Sequence, residues 1–127
     1  MKKLIIATSL LIGSVNIYAT QTAQTLIEQN GCMACHEVAS RKTAPAFAGI
    51  AKRNLRFSGA AAKDIIIHTI KHGSSGKYRR FSNNSMPAYP SLSNDQLQTI
   101  ADYILLQASK AKGGGGMGYG KHKGGGY

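Results

Sequence analysis

Both cysteines of this 127-residue chain fall in one pentapeptide, Cys32-Met33-Ala34-Cys35-His36. That placement excludes a disulfide-dense fold, in which several bridges stand in for a large core. It also excludes a four-cysteine zinc site. A redox disulfide of the thioredoxin kind needs a strand–helix–strand setting. No alternating strand pattern of useful length occurs here. Half a zinc site would have to borrow nitrogen from His68, His72 or His122, with no second cysteine pair to help.

The spacing fits a different chemistry. C-x-x-C-H is the attachment signature of a c-type haem. On a helical turn, residues at i and i+3 lie on one side. Two thiols placed so can each add across one haem vinyl group as a thioether. His36 follows on the same side and supplies the proximal iron ligand. One covalently attached haem c is therefore expected, held by Cys32, Cys35 and His36.

Composition narrows the setting. Sixteen Lys and Arg stand against five Asp and Glu, a formal net charge of +11. Five acidic residues make a paired-carboxylate hydrolase an unnatural reading. The positive charge points to an acidic partner. At the start, Met1-Lys2-Lys3 is basic and Leu4 to Val15 is an apolar run too short to span a bilayer. Ile17-Tyr18-Ala19 then offers a cleavage site, so residues 1–19 read as a secretory signal peptide. Cleavage after Ala19 removes Lys2 and Lys3 and lowers the charge from +11 to +9. The periplasm is the expected location, and an uncleaved anchor is the alternative.

Three segments carry helical patterning. Thr20 to Asn30 places Ala23, Leu26, Ile27 and Asn30 at spacings of three and four. Gly59 to Lys71 carries Ala61, Ala62, Ile65, Ile66, Ile67 and Ile70, and Gly73 stops it. The third begins at Ser93, an N-cap with Gln96 completing a capping box. Leu97, Ile100, Ala101, Ile104 and Ala108 then line one face. A short fourth helix fits Pro45 to Lys52, with Pro45 in its first turn. Gly73 to Leu92 reads as a loop of about 20 residues, a length that calls for something to organise it. Residues 113–127, GGGGMGYGKHKGGGY, read as a Gly-rich flexible tail. The folded domain is thus expected over residues 20–112, a size suited to one domain.

A haem with one protein ligand leaves a second axial position. Met33 sits inside the attachment loop and cannot reach the opposite face. Met117 and His122 belong to the tail. Met86, followed by Pro87, lies in the long loop 50 residues after His36. A loop wrapping the far haem face needs no secondary structure of its own. Met86 is the expected ligand, and His72 is the alternative.

These residues together resemble the small bacterial class I cytochromes c. The resemblance rests on Gly31 to His36, Ala44-Pro45-Ala46-Phe47, Lys71 to Gly76, Ser85-Met86-Pro87-Ala88 and the closing helix Asp95 to Gln107. It implies an all-α fold of three to four helices around one haem, with the first and last helices crossing. It implies that the Pro45 carbonyl receives a hydrogen bond from His36, a contact that orients the ring. It further implies that Tyr78 reaches a haem propionate, where family members often carry Trp. Tyr103 takes the place of an aromatic packed against the first helix. Two features depart from the pattern: the basic Lys77-Tyr78-Arg79-Arg80 and the Gly-rich tail.

The expected function is one-electron transfer between respiratory redox partners by a monomeric, non-enzymatic carrier. A six-coordinate His/Met haem leaves no position for oxygen or peroxide. The alternative is a haem-based sensor or peroxidase-like catalyst in which Met86 leaves the iron. Lys77, Arg79 and Arg80 are expected to flank the haem edge and steer an acidic partner. Lys52, Arg53 and Arg56 add to the basic surface, but export and haem argue against nucleic acid. The tail, with Lys121, Lys123, Tyr119, His122 and Tyr127, offers weak contact to a membrane surface or partner.

Overall fold

The computed structural model describes residues 21–111. The expected signal peptide and Gly-rich tail lie outside the described residues. Four α-helices make the frame: α1 (Ala23–Gln29), α2 (Phe47–Ser58), α3 (Ala62–His72) and α4 (Asn94–Leu106). Among the described residues, no helix is long and apolar enough to cross a membrane.

Local sequence explains where most of these begin and end. Thr22 caps α1 by accepting from the Thr25 amide, so the helix starts three residues later than Thr20. Ser93 and Gln96 form the expected reciprocal capping box on α4, satisfying two otherwise unpaired amides. The last turn continues as a 3-10 turn over Gln107–Lys110. The segment after Gly59 opens as a 3-10 turn over Gly59–Ala61, and α3 proper begins at Ala62. Ala61 is consequently exposed, while Ala62, Ile66 and Ile70 carry the buried stripe at a spacing of four.

The helix expected over Pro45 to Lys52 needs correction. It begins at Phe47 and runs to Ser58, half a dozen residues further. Pro45 lies before it, and its N-cap, Ala46, has no capping side chain. Instead the Phe47 and Ala48 amides donate to the carbonyls of Glu37 and Val38. A chain segment remote from the helix thus fills the role that a local cap usually plays.

The core gathers Leu26 and Ile27 from α1, Phe47 and Ala51 from α2, and Ile66 and Ile70 from α3. Leu97, Ile100, Ala101 and Ile104 come from α4. α4 packs against the other three helices. Gln96 Nε2 also donates to Gln21 Oε1 at 2.9 Å, joining the start of α4 to the residue ahead of α1. Tyr103 stands edge-on to Phe47 of α2, with ring centroids 6.4 Å apart.

The long loop is more ordered than its composition suggests. β1 (Ser74–Ser75) pairs antiparallel with β2 (Ser85–Met86), setting Ser74 opposite Met86. The loop expected to need no secondary structure of its own thus carries one two-residue ladder. A 3-10 turn over Arg79–Phe81 lies between them. Asn84 donates to the Thr43 carbonyl, tying the loop back across the molecule.

Candidate haem site

One cavity of about 530 Å³ opens among the helices and the long loop. Cys32, Cys35, His36, Pro45, Tyr78 and Met86 all line it. Every residue singled out as cofactor-binding from the sequence therefore meets in one place. His68, His72 and Met33 do not line it. Met117 and His122 lie outside the described residues.

The attachment pentapeptide starts where α1 ends. Gly31 adopts a left-handed conformation, φ 67°, that turns the chain into the 3-10 turn Cys32–Ala34. His36 closes that turn with its amide on the Cys32 carbonyl. Cys32 is half-buried and Cys35 exposed. Burial raises the Cys32 thiol above its ordinary value, and a bond from its own backbone amide opposes the shift. Lys42 Nζ donates to the Met33 carbonyl, bracing the turn from outside.

His36 is buried and stacked on Phe47, centroids 5.2 Å apart and planes 20° from parallel. Its Nδ1 lies 2.7 Å from the Pro45 carbonyl oxygen. A carbonyl only accepts, so Nδ1 carries the proton and donates. Burial lowers the imidazole below its usual value, against a smaller opposing pull from the Pro45 carbonyl. Burial thus favours the neutral ring, and the proton on Nδ1 leaves Nε2 as the nitrogen able to bind a metal. That is the state a metal-binding imidazole requires.

Met86 is half-buried. Its backbone position is fixed by the pairing with Ser74 and by Gly73. A Cβ on Gly73 would stand 2.6 Å from the Met86 carbonyl oxygen. Two residues beyond Pro87, the Tyr89 amide donates to the Ile70 carbonyl at the end of α3.

Polar groups cluster on one stretch of the wall. Lys77 Nζ donates to Thr69 Oγ1 at 2.7 Å, and Thr69 donates to the Ile65 carbonyl at 2.8 Å. Burial lowers the Lys77 ammonium below its usual value, and the Arg53 charge adds to the effect. The Arg53 guanidinium lies 5.0 Å from the centroid of the Tyr78 ring. Of the three basic residues expected to steer a partner, Lys77 instead lines the cavity, bonded to Thr69, while Arg79 and Arg80 are exposed and do not line it.

Asn54 was not among the residues expected from the sequence. It is a fully buried polar side chain that lines the cavity and donates to the Ile50 carbonyl at 2.8 Å. Its signal was present. Phe47, Ala51 and Asn54 share one face at spacings of four and three, and a polar residue on an apolar face marks a site or a back-bond.

The donor set fits a c-type haem. Two thiols sit at the i, i+3 spacing, and a neutral imidazole has one nitrogen occupied and one uncommitted. A thioether, an apolar wall from Ile66, Ile70, Ile100 and Ile104, and a cation complete the cavity. The porphyrin would meet the apolar wall, and its carboxylates would meet Lys77.

The cytochrome c family model matches residues 20–107. Cytochrome c-552 of Hydrogenobacter thermophilus is 32% identical over 107 residues, covering 83% of this chain and 97% of that protein. Cytochrome c-551 of Pseudomonas aeruginosa is 31% identical over 85 residues, 66% of this chain and 75% of its own. Among solved structures, Nitrosomonas europaea cytochrome c552 superposes with a TM-score of 0.57 at 30% identity. It covers 66% of this chain and 98% of that one. The class 1 cytochrome MtoD of Sideroxydans lithotrophicus shares the fold, with a TM-score of 0.54 at 22% identity over 68% of this chain and 92% of its own.

Fold and site together define a small all-α domain built around haem c. The chain belongs to the cytochrome c family, as a small class I monohaem member. Its cofactor is a covalently attached c-type haem, and its class of activity is electron carriage.

Proposed function

We propose that the protein is an exported one-electron carrier in which His36 and Met86 would hold the haem iron. The observation that carries the reading is the convergence of Cys32, Cys35, His36 and Met86 on one cavity. Haem bound in this way supplies a reversible one-electron couple with no open coordination position, and the neutral sulfur ligand raises its potential.

The chain's own residues account for the rest. The Pro45 carbonyl keeps the proton on His36 Nδ1 and so directs Nε2 at the metal. Phe47 stacked on the ring limits its rotation. Cys32 and Cys35 hold the porphyrin as thioethers. Tyr78 and Lys77 would hold the propionates, and the Lys77–Thr69 bond fixes the ammonium on the cavity wall. Gly73 and Ser74 hold the Met86 backbone, so little reorganises when the charge on iron changes.

Residues 1–19 direct export, with cleavage after Ala19 and release to the periplasm. Arg79 and Arg80, exposed on the 3-10 turn next to Tyr78, meet acidic respiratory partners. The protein works as a monomer, and its basic tail adds weak partner or membrane-surface contacts. A sensor or peroxidase-like role would require Met86 to leave the iron, against the backbone pairing that holds it.

Potentiometric titration combined with ligand challenge tests the reading. A reversible single-electron wave is expected, with no carbon monoxide uptake by the reduced protein at neutral pH. Carbon monoxide binding there would overturn it, because it requires an open position.

A further inference from the structure

We propose that His68 and His72 form a two-imidazole site for a divalent transition-metal ion on the outer face of α3, separate from the haem cavity. The two residues stand four apart in α3, so they share one face of the helix. Their ring centroids are 4.5 Å apart and their planes tilted by 40°. Both side chains are exposed, and neither lines the haem cavity. Haem binding therefore makes no use of them.

Two imidazoles at i and i+4 on a helix are the pair that the H-E-x-x-H motif supplies to zinc. Each nitrogen binds such an ion at about 2.0–2.1 Å. Rings already 4.5 Å apart reach a shared ion by rotation about χ2, which is soft in histidine. Imidazole selects copper, nickel and zinc over magnesium and calcium, and affinity peaks at Cu(II).

The location adds to this. His72 is the last residue of α3, where the helix dipole places partial negative charge and favours a cation. Among the described residues, no third His, Cys, Asp or Glu completes a cluster. Water fills the remaining positions, so the site is open and exchangeable rather than structural.

The test uses the fully oxidised holoprotein, so that Cu(II) meets no reductant. His122 is removed in a His122→Ala background, because a tail imidazole is a competing ligand. Calorimetric titration with Cu(II) should give one ion per chain, and electron paramagnetic resonance should report two nitrogen donors. Mg(II) should give no binding heat. His68→Ala or His72→Ala should each weaken Cu(II) binding on the order of 100-fold, since either change removes the chelate. Both positions are exposed, and an unchanged haem spectrum verifies the fold of each variant. Equal Cu(II) affinity in the His68→Ala/His72→Ala double variant, or a single-nitrogen signal, would overturn the proposal.

Discussion

Gly73 crosses the Met86–Pro87 backbone so closely that a Cβ at Gly73 would lie 2.6 Å from the Met86 carbonyl oxygen and 3.0 Å from the Ala88 amide nitrogen. Its φ of 75° independently favours glycine. The residue that ends α3 therefore also fixes the loop carrying Met86. Ser74, the next residue, pairs with Met86 in the short ladder, so helix end and loop are joined twice within two residues.

Gly73→Ala should separate crowding from conformational strain. At φ 75° and ψ 180° the backbone lies in a region open essentially to glycine alone, where a residue with a Cβ pays about 1–3 kcal/mol, and the clash adds to that by pushing Met86. A stability loss is expected in denaturant titration, together with a weakened near-infrared charge-transfer band of the oxidised protein. Gly31→Ala is the control for a positive φ without crowding, in the milder left-handed α region with ψ 20°. Gly31 has φ 67°, but a Cβ there meets nothing within 4 Å. It should lose stability while keeping the band.

Ser93→Ala removes one half of the α4 capping box. The expected cost is about 1 kcal/mol. For a domain of this size that lowers the melting temperature by roughly 4–8 °C. Visible haem spectra should not change, since Ser93 does not line the cavity. Circular dichroism melts of the two holoproteins measure the difference.

These two sites show what the sequence made legible. Ser93 and Gln96 are three residues apart, and the bond between them is readable without knowing the rest of the fold. C-x-x-C-H is readable for the same reason, because attachment chemistry requires neighbours in sequence to be neighbours in space. The start of α2 was not legible. Its first amides are satisfied by Glu37 and Val38, about ten residues away, and Ala46 carries no capping signal. The ladder between Ser74–Ser75 and Ser85–Met86 was equally hidden. Two-residue strands have no periodicity to detect, and Gly, Ser and Asn around them spell loop. Asn54 was visible as a polar interruption on an apolar face, but its role needs the cavity.

Arg79 and Arg80 are predicted to accelerate encounter with an acidic redox partner. The double reversal Arg79→Glu/Arg80→Glu should slow second-order electron transfer at low ionic strength. The gap to the unmodified protein should close as salt is added, because exposed charges are screened beyond a Debye length of about 8 Å at 0.15 M. Stopped-flow rates across a salt series check this. A rate that does not depend on salt in either protein would remove the steering role.

We propose Met86, not His72, as the second protein ligand of the haem iron. His72 is exposed beside His68 and lies off the cavity wall, whereas Met86 lines the cavity. The most direct measurement is the near-infrared absorption of the oxidised protein, which reports sulfur–iron bonding, recorded with the midpoint potential for three proteins. The native chain should show the band. Met86→Ala should lose it and fall in potential, and His72→Ala should keep both unchanged. A native protein without the band, or one that loses it with His72→Ala and retains it with Met86→Ala, would contradict the account.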